Sequence, residues 1–277
     1  MQRNQIKQRL LVITILYFLI ALSETNLPAN QKLRCTNIFE TKIKGYFNTM
    51  AKALLERKRM KEEQMLINKK VTDMIAIGKT FYDKNWLLGT SGNLSSLISR
   101  DPLRFIITAS GMDKGTLIKD AFVEVIGENN GSYQVTKNTS KKPSGETLLH
   151  KVIYQYTDAE TIIHIHSSEA VFVAELFANK GIFTFQGYEV QKGLGFKNIC
   201  EECRIPILEN KENLHELANE FISRWEPSQI AFLIKNHGLF VWGRSLSEAK
   251  RCTELLQHMF EYSILKKNSE VKDKYEF

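Results

Sequence analysis

The chain has 277 residues, 43% hydrophobic and 25% charged, with four cysteines and a formal net charge of +7. That composition excludes a disordered chain, a collagen-like repeat and a disulfide-dense miniprotein. Residues 1–60 carry a net +8 and the rest a net −1, so the body lacks the basic excess and the reading motifs of a nucleic-acid binder.

Arg3, Lys7 and Arg9 precede an apolar run over 10–22, with small residues around its end at Ala21 and Ser23. The run is shorter than the ~20 residues a spanning helix needs and has the layout of a secretory or organelle-entry signal. A start at Met50 or Met60 is the competing reading, which leaves the run outside the protein. The compartment follows that choice: cytoplasmic, or organelle or secretory entry if the signal is genuine, with membrane contact only if the run is retained. We divide the chain into an extension over 1–60, a folded domain over 61–267 and a polar tail over 268–277.

In the domain, Met65, Ile67, Val71, Met74, Ile75, Ile77 and Phe81 recur at helical spacing and predict a helix over 61–83. A glycine turn at 89–93 leads to strands over 94–98 and 105–108, a second turn over 110–115, and a strand pair at 122–126 and 132–135. A helix over 146–156 follows, with Pro143-Ser144 in the cap position. A strand over 161–166, a helix over 168–178, a strand over 205–208 and a helix over 213–225 come next. Strands over 230–234 and 239–241 flank Asn236-His237-Gly238, and a helix over 247–265, capped by Ser247, closes the domain. Strands often follow strands directly. That pattern predicts an α/β fold of three layers, with helices on both sides of a mostly antiparallel, mixed sheet.

The chemistry gathers in a few places. In Ile163-His164-Ile165-His166 the two imidazoles stand at i and i+2 of a strand and share a face. His237 lies in a turn between two strands. Three neutral imidazoles with an open position make a catalytic zinc site. Glu146 opens a helix, where an acid is ordinarily a cap, and His150 follows one turn later. Glu189 stands in Tyr188-Glu189-Val190-Gln191-Lys192-Gly193. Three turns rich in Gly, Ser and Thr, at 89–93, 108–111 and 143–145, have the backbone amides and hydroxyls that cradle phosphate, and Lys114 adds a charge. Cys200 and Cys203 form a lone CxxC, read as two loop cysteines because zinc sites of this kind take two such pairs.

Gly-Thr-Ser-Gly-Asn-Leu-Ser (89–95), Thr-Ala-Ser-Gly (108–111), Pro-Ser-Gly-Glu-Thr-Leu-Leu-His (143–150), His-Ile-His-Ser (164–167) and Asn-His-Gly (236–238) occur in that order. Together they resemble the class II aldolase/adducin family over about 62–265, and the segments 188–193, 207–210 and 237–243 resemble its methylthioribulose-1-phosphate dehydratase branch. The resemblance implies one zinc ion per subunit held by His164, His166 and His237, with Glu189 as general acid/base. It implies a cradle of Gly92, Asn93, Ser110, Gly111 and Ser144 for a sugar phosphate, with Glu146 contacting substrate. A hydro-lyase of methionine salvage, assembled as a homotetramer, is the expectation. The alternatives are a sugar-phosphate aldolase or epimerase of the fuculose or ribulose type, or a non-catalytic adducin-like interaction domain. The intact histidine set speaks against the last.

Overall fold

The computed structural model describes residues 15, 20–21, 24–26, 28–128, 132–136 and 140–272. The chain divides into two units, Met1–Gln64 and Met65–Phe277. The apolar run over 10–22 lies outside the described residues apart from Ile15, Ile20 and Ala21. Among the described residues no helix is long and apolar enough to cross a membrane.

Helix α1 (Ala29–Asp83) begins in the first unit and ends in the second. It starts far upstream of the predicted residue 61. Pro28 precedes it, in keeping with the preference for proline at helix starts, and no proline interrupts it afterwards. Within the first unit Ile38, Tyr46, Phe47, Leu54, Leu55 and Met60 remain exposed.

The second unit holds a sheet whose strands lie in the order β4-β3-β2-β1-β5-β9-β8-β7-β6. They are β1 (Asn93–Arg100), β2 (Leu103–Thr108), β3 (Phe122–Gly127), β4 (Tyr133–Val135), β5 (Thr161–Ile165), β6 (Ile182–Phe185), β7 (Cys203–Leu208), β8 (Ala231–Ile234) and β9 (Gly238–Gly243). Neighbours pair antiparallel except β7 with β8. The helices are the α1 segment after Gln64, α2 (Thr147–Tyr156), α3 (Ser168–Leu176), the single turn α4 (Val190–Gly193), α5 (Leu214–Arg224) and α6 (Leu246–Lys272).

Alternation along the strands divides the apolar residues between two cores. Leu94, Ile163, Ile165, Leu239 and Val241 pack with Met74 and Phe81 of α1, Val173 of α3 and Leu256 and Phe260 of α6. Phe105, Ile107, Ile162, Phe232, Phe240 and Trp242 pack on the other face with Leu149 and Ile153 of α2 and Leu217 and Phe221 of α5. The result is the three-layer α/β/α arrangement the pattern predicted.

Two caps differ from expectation. Helix α2 begins after Glu146, whose backbone N–H donates to Ser144 Oγ at 3.3 Å, so Ser144 lies two residues outside the cap position. At α6 the hydroxyl that accepts from Glu248 N (3.1 Å) belongs to Ser245, and Ser247 is already inside the helix. Strand β6 and turn α4 were not predicted, being too short to display a period. Residues 268–272 of the predicted tail are helical, continuing α6.

Candidate metal centre

Strand β5 runs between β1 and β9 in the middle of the sheet and delivers His164 and, just past its end, His166. His164 is fully buried. Its ring stacks on Phe240 with centroids 3.9 Å apart, and its Nδ1 donates to Leu239 O at 3.1 Å. A carbonyl can only accept, so the proton is on Nδ1 and the Nε2 lone pair is free to bind. His166 is anchored by its backbone N–H to Trp86 O (2.9 Å). His237 occupies the β8–β9 turn after Asn236, which adopts a left-handed φ of 54° that asparagine tolerates.

The three Nε2 atoms converge. His164 is 2.8 Å from His166 and 3.3 Å from His237. Glu146 joins them, with Oε1 3.2 Å from His164 Nε2 and 3.1 Å from His237 Nε2. Each of the four residues offers a ligand atom within 4.8 Å of the others. Two nitrogens bound tetrahedrally to one zinc at about 2.0–2.1 Å stand roughly 3.3 Å apart, so the donor set fits such an ion in chemistry and in spacing. The geometry adds a carboxylate to the histidine trio, where sequence reasoning had given Glu146 to the substrate.

Electrostatics agree with that grouping. Burial pushes the Glu146 carboxyl up, but His164 and His237 outweigh it and hold the group below the usual carboxylate range. Burial, aided by the neighbouring imidazoles, pushes His166 down to about 3. Glu146 is thus held as a carboxylate and His166 as a neutral imidazole, the forms in which each can bind a divalent cation.

Two glycines let the strands close on this point. Gly92 has a φ of 66°, and a Cβ there would collide with Leu87 and with His164 O. A Cβ at Gly238 would collide with Ile165 O. Both contacts are against the backbone of the strand end that carries the histidines.

The three predicted turns meet beside the cluster. Ser144 N donates to Thr108 O (3.2 Å) and Ser110 N to Lys142 O (2.9 Å), joining the second turn to the third. Asn93 Nδ2 donates to Ser144 Oγ at 3.0 Å, joining the first to the third. Ser110 and Gly111 are exposed, while Asn93 and Ser144 are buried. Lys114 is also buried; its Nζ donates to Thr90 O (3.0 Å) and Met112 O (2.7 Å), so it braces two turns against each other. Burial, opposed by Asp113 and Glu146, lowers its pKa to about 8.

Glu189 is placed differently. Its side chain is 77% exposed and pairs with Lys192 at 2.7 Å, at the start of α4. It is not among the four clustered residues. Neither Cys200, which is exposed, nor Cys203, which is buried in β7, forms a disulfide.

The model for the class II aldolase and adducin N-terminal domain matches residues 72–264. The chain belongs to the class II aldolase/adducin family. It is 36% identical to the methylthioribulose-1-phosphate dehydratase of Bacillus pumilus, over 70% of this chain and 92% of that one. It is 37% identical to the dehydratase of an Exiguobacterium species, over 72% and 96%. A bifunctional MtnB/MtnX enzyme of Bacillus licheniformis is 35% identical over 79% of this chain, which spans 50% of that longer protein. Among solved structures, the L-fuculose-1-phosphate aldolase of Thermus thermophilus aligns with a TM-score of 0.59 at 20% identity, covering 73% of this chain and 97% of that one. YgbL from Escherichia coli, a putative aldolase/epimerase/decarboxylase by its title, aligns with a TM-score of 0.59 at 22% identity over 73% and 90%. These two likenesses concern the fold shared within the family.

Proposed function

We infer that this chain is a hydro-lyase that dehydrates 5-methylthioribulose 1-phosphate to 2,3-diketo-5-methylthiopentyl 1-phosphate in methionine salvage. The observation that carries the reading is the likeness to methylthioribulose-1-phosphate dehydratases over more than nine-tenths of their length. The donor cluster of His164, His166, His237 and Glu146 supports it.

In this reading His164, His166 and His237 hold zinc, with Glu146 beside them. Bound there, zinc would act as a Lewis acid on the substrate carbonyl. The chain's own groups do the rest. The amides of Gly92 and Gly111 and the hydroxyls of Ser110 and Ser144 hold the phosphate, and the turn contacts of Lys114 keep those loops in register. Asn93 reaches both Ser144 and Glu146, so it couples the phosphate cradle to the cluster. Glu189 delivers a proton to the departing hydroxyl. Its exposure in a single chain fits a site completed by assembly, and a homotetramer is the proposed state. The proposed compartment is the cytoplasm, and the proposed catalytic domain covers 61–267.

The test offers purified protein methylthioribulose 1-phosphate and follows diketone formation and bound zinc. Turnover with about one zinc per chain is expected. Cleavage of fuculose or ribulose phosphates without diketone formation overturns the dehydratase reading.

A further inference from the structure

Behind Glu146 a line of buried side chains leads away from the cluster. Asn93, Ser95, His150 and Tyr154 are each no more than 2% exposed. Glu146 at the cap of α2 and His150 and Tyr154 within it recur every four residues on one side, and Asn93 and Ser95 alternate along the facing side of β1. Asn93 Nδ2 donates to Glu146 Oε2 at 2.5 Å, and its Oδ1 meets His150 Nε2. His150 Nδ1 meets Ser95 Oγ at 2.7 Å, and Ser95 Oγ meets Tyr154 Oη at 2.7 Å.

The direction of every bond is forced. An ionised carboxylate only accepts, so Asn93 turns its NH2 toward Glu146 and its oxygen toward His150. That oxygen only accepts, so His150 Nε2 carries the hydrogen. Burial pushes the His150 ring down to about 3, so it holds a single N–H and Nδ1 must accept. Ser95 donates to Nδ1 and in turn accepts from Tyr154. The opposite amide orientation would set Asn93 Oδ1 against a carboxylate oxygen and leave two buried acceptors facing each other, a costly arrangement.

We propose that His150 is a positioning residue: its Nε2–H locks the Asn93 amide, and that amide holds the Glu146 carboxylate on the histidine cluster. The proposal rests on reading the cluster as a metal centre. His150 acts through two other side chains and touches no donor atom of the cluster itself. The line orients Glu146 and does not carry a proton to it, because the Asn93 amide, which neither gains nor loses a proton near neutral pH, stands between His150 and the carboxylate.

Two kinds of measurement test this. In nitrogen-15 histidine spectra of the metal-free protein, His150 should be neutral with its hydrogen on Nε2 between pH 6 and 8; a hydrogen on Nδ1 or a charged ring overturns the proposal. For variants, His150→Gln keeps a donor near the Nε2 position, while His150→Asn puts its amide near the Nδ1 position and leaves Asn93 Oδ1 without one. Zinc affinity, read by chelator competition, and kcat should both fall about 10–100-fold in His150→Asn, and His150→Gln should recover most of that loss. Equal losses in both variants, or none in either, overturn it. Should His150→Asn fail to fold, Ser95→Ala removes only the hydroxyl that donates to Nδ1, and Asn93 Oδ1 still holds the hydrogen on Nε2. Near-parent zinc affinity with the Nε2–H signal retained is then expected, and an Nδ1–H signal, or a large loss of affinity with Nε2–H still in place, overturns the proposal. A parent that binds zinc without turning over methylthioribulose 1-phosphate sinks the substrate reading only. The tautomer and affinity measurements still decide the role of His150.

Discussion

The two candidate acids, Glu146 and Glu189, occupy opposite kinds of place. Glu146 is wedged against three histidines at the centre of the sheet, with Asn93 behind it and its side chain 17% exposed. Glu189 opens a single helical turn, 77% exposed, with Lys192 as its ion-pair partner. The first position is fixed by β1, β5, β9 and α2 together. The second stands exposed at the cap of a single turn, where another surface can cover it. A rigid element makes a donor set accurate to tenths of an ångström, and a loop leaves a group available for a step that begins only when substrate is present.

The sharpest way to break this comparison is to remove a candidate metal donor from the rigid side. His164→Ala should lose nearly all bound zinc and with it measurable turnover, because His164 faces both other imidazoles and Glu146. Metal analysis beside an activity assay reads both. Retention of zinc at the parent's level would mean the cluster is not the metal centre.

On the loop side, Glu189→Gln should cut kcat by roughly 10²–10⁴ if the carboxyl is the acid/base. Zinc content should stay at the parent's value, since the side chain is not among the clustered donors. A variant as fast as the parent removes Glu189 from the mechanism and leaves the proton work to the rigid acid.

The same contrast explains what could be read from the amino-acid order. The spacing of His164 and His166 is itself a strand signal, so their shared face was legible, and the alternation around them gave the mixed sheet. Glu146 as a partner of the histidines was not legible. It reaches them because α2 packs on the sheet face lined by β2, β5, β8 and β9, an adjacency that no local period encodes. The line through Glu146, His150 and Tyr154 was half visible as a spacing of four on a helix, but its other half, Asn93 and Ser95, comes from a strand 53 to 55 residues earlier in the chain. β6 and α4 fell below the length at which periodicity shows. The helix from Ala29 was missed for a different reason: its composition read as a leader, and helix-forming residues such as Lys, Arg, Ala and Leu serve both purposes.

Gly238→Ala probes how tightly the rigid side is built. The added carbon meets the backbone oxygen of Ile165, which cannot swing away as a side-chain end can. A loss of about 1–3 kcal/mol is expected, seen as a melting temperature lower by about 3–10 °C. An unchanged melting temperature would show that the β5–β9 junction gives way easily, and the cluster would then owe its geometry to the metal instead of to the sheet.

The mildest test uses thiols as reporters of the two environments. Cys200 is exposed in the segment after α4, while Cys203 in β7 and Cys252 in α6 are buried. Burial pushes the Cys203 thiol up to about 12 and the Cys252 thiol up to about 11. The thiolate is the reacting species, so both buried thiols combine a small thiolate fraction with poor access. Site-resolved mass spectrometry after brief alkylation of the native protein at neutral pH should find Cys200 modified and Cys203 and Cys252 untouched. Modification of Cys203 at a rate near that of Cys200 would mean that β7 opens readily, since neither solvent nor reagent reaches its sulfur in the closed sheet. The stiffness claimed for the centre of the sheet would then have to end at β8.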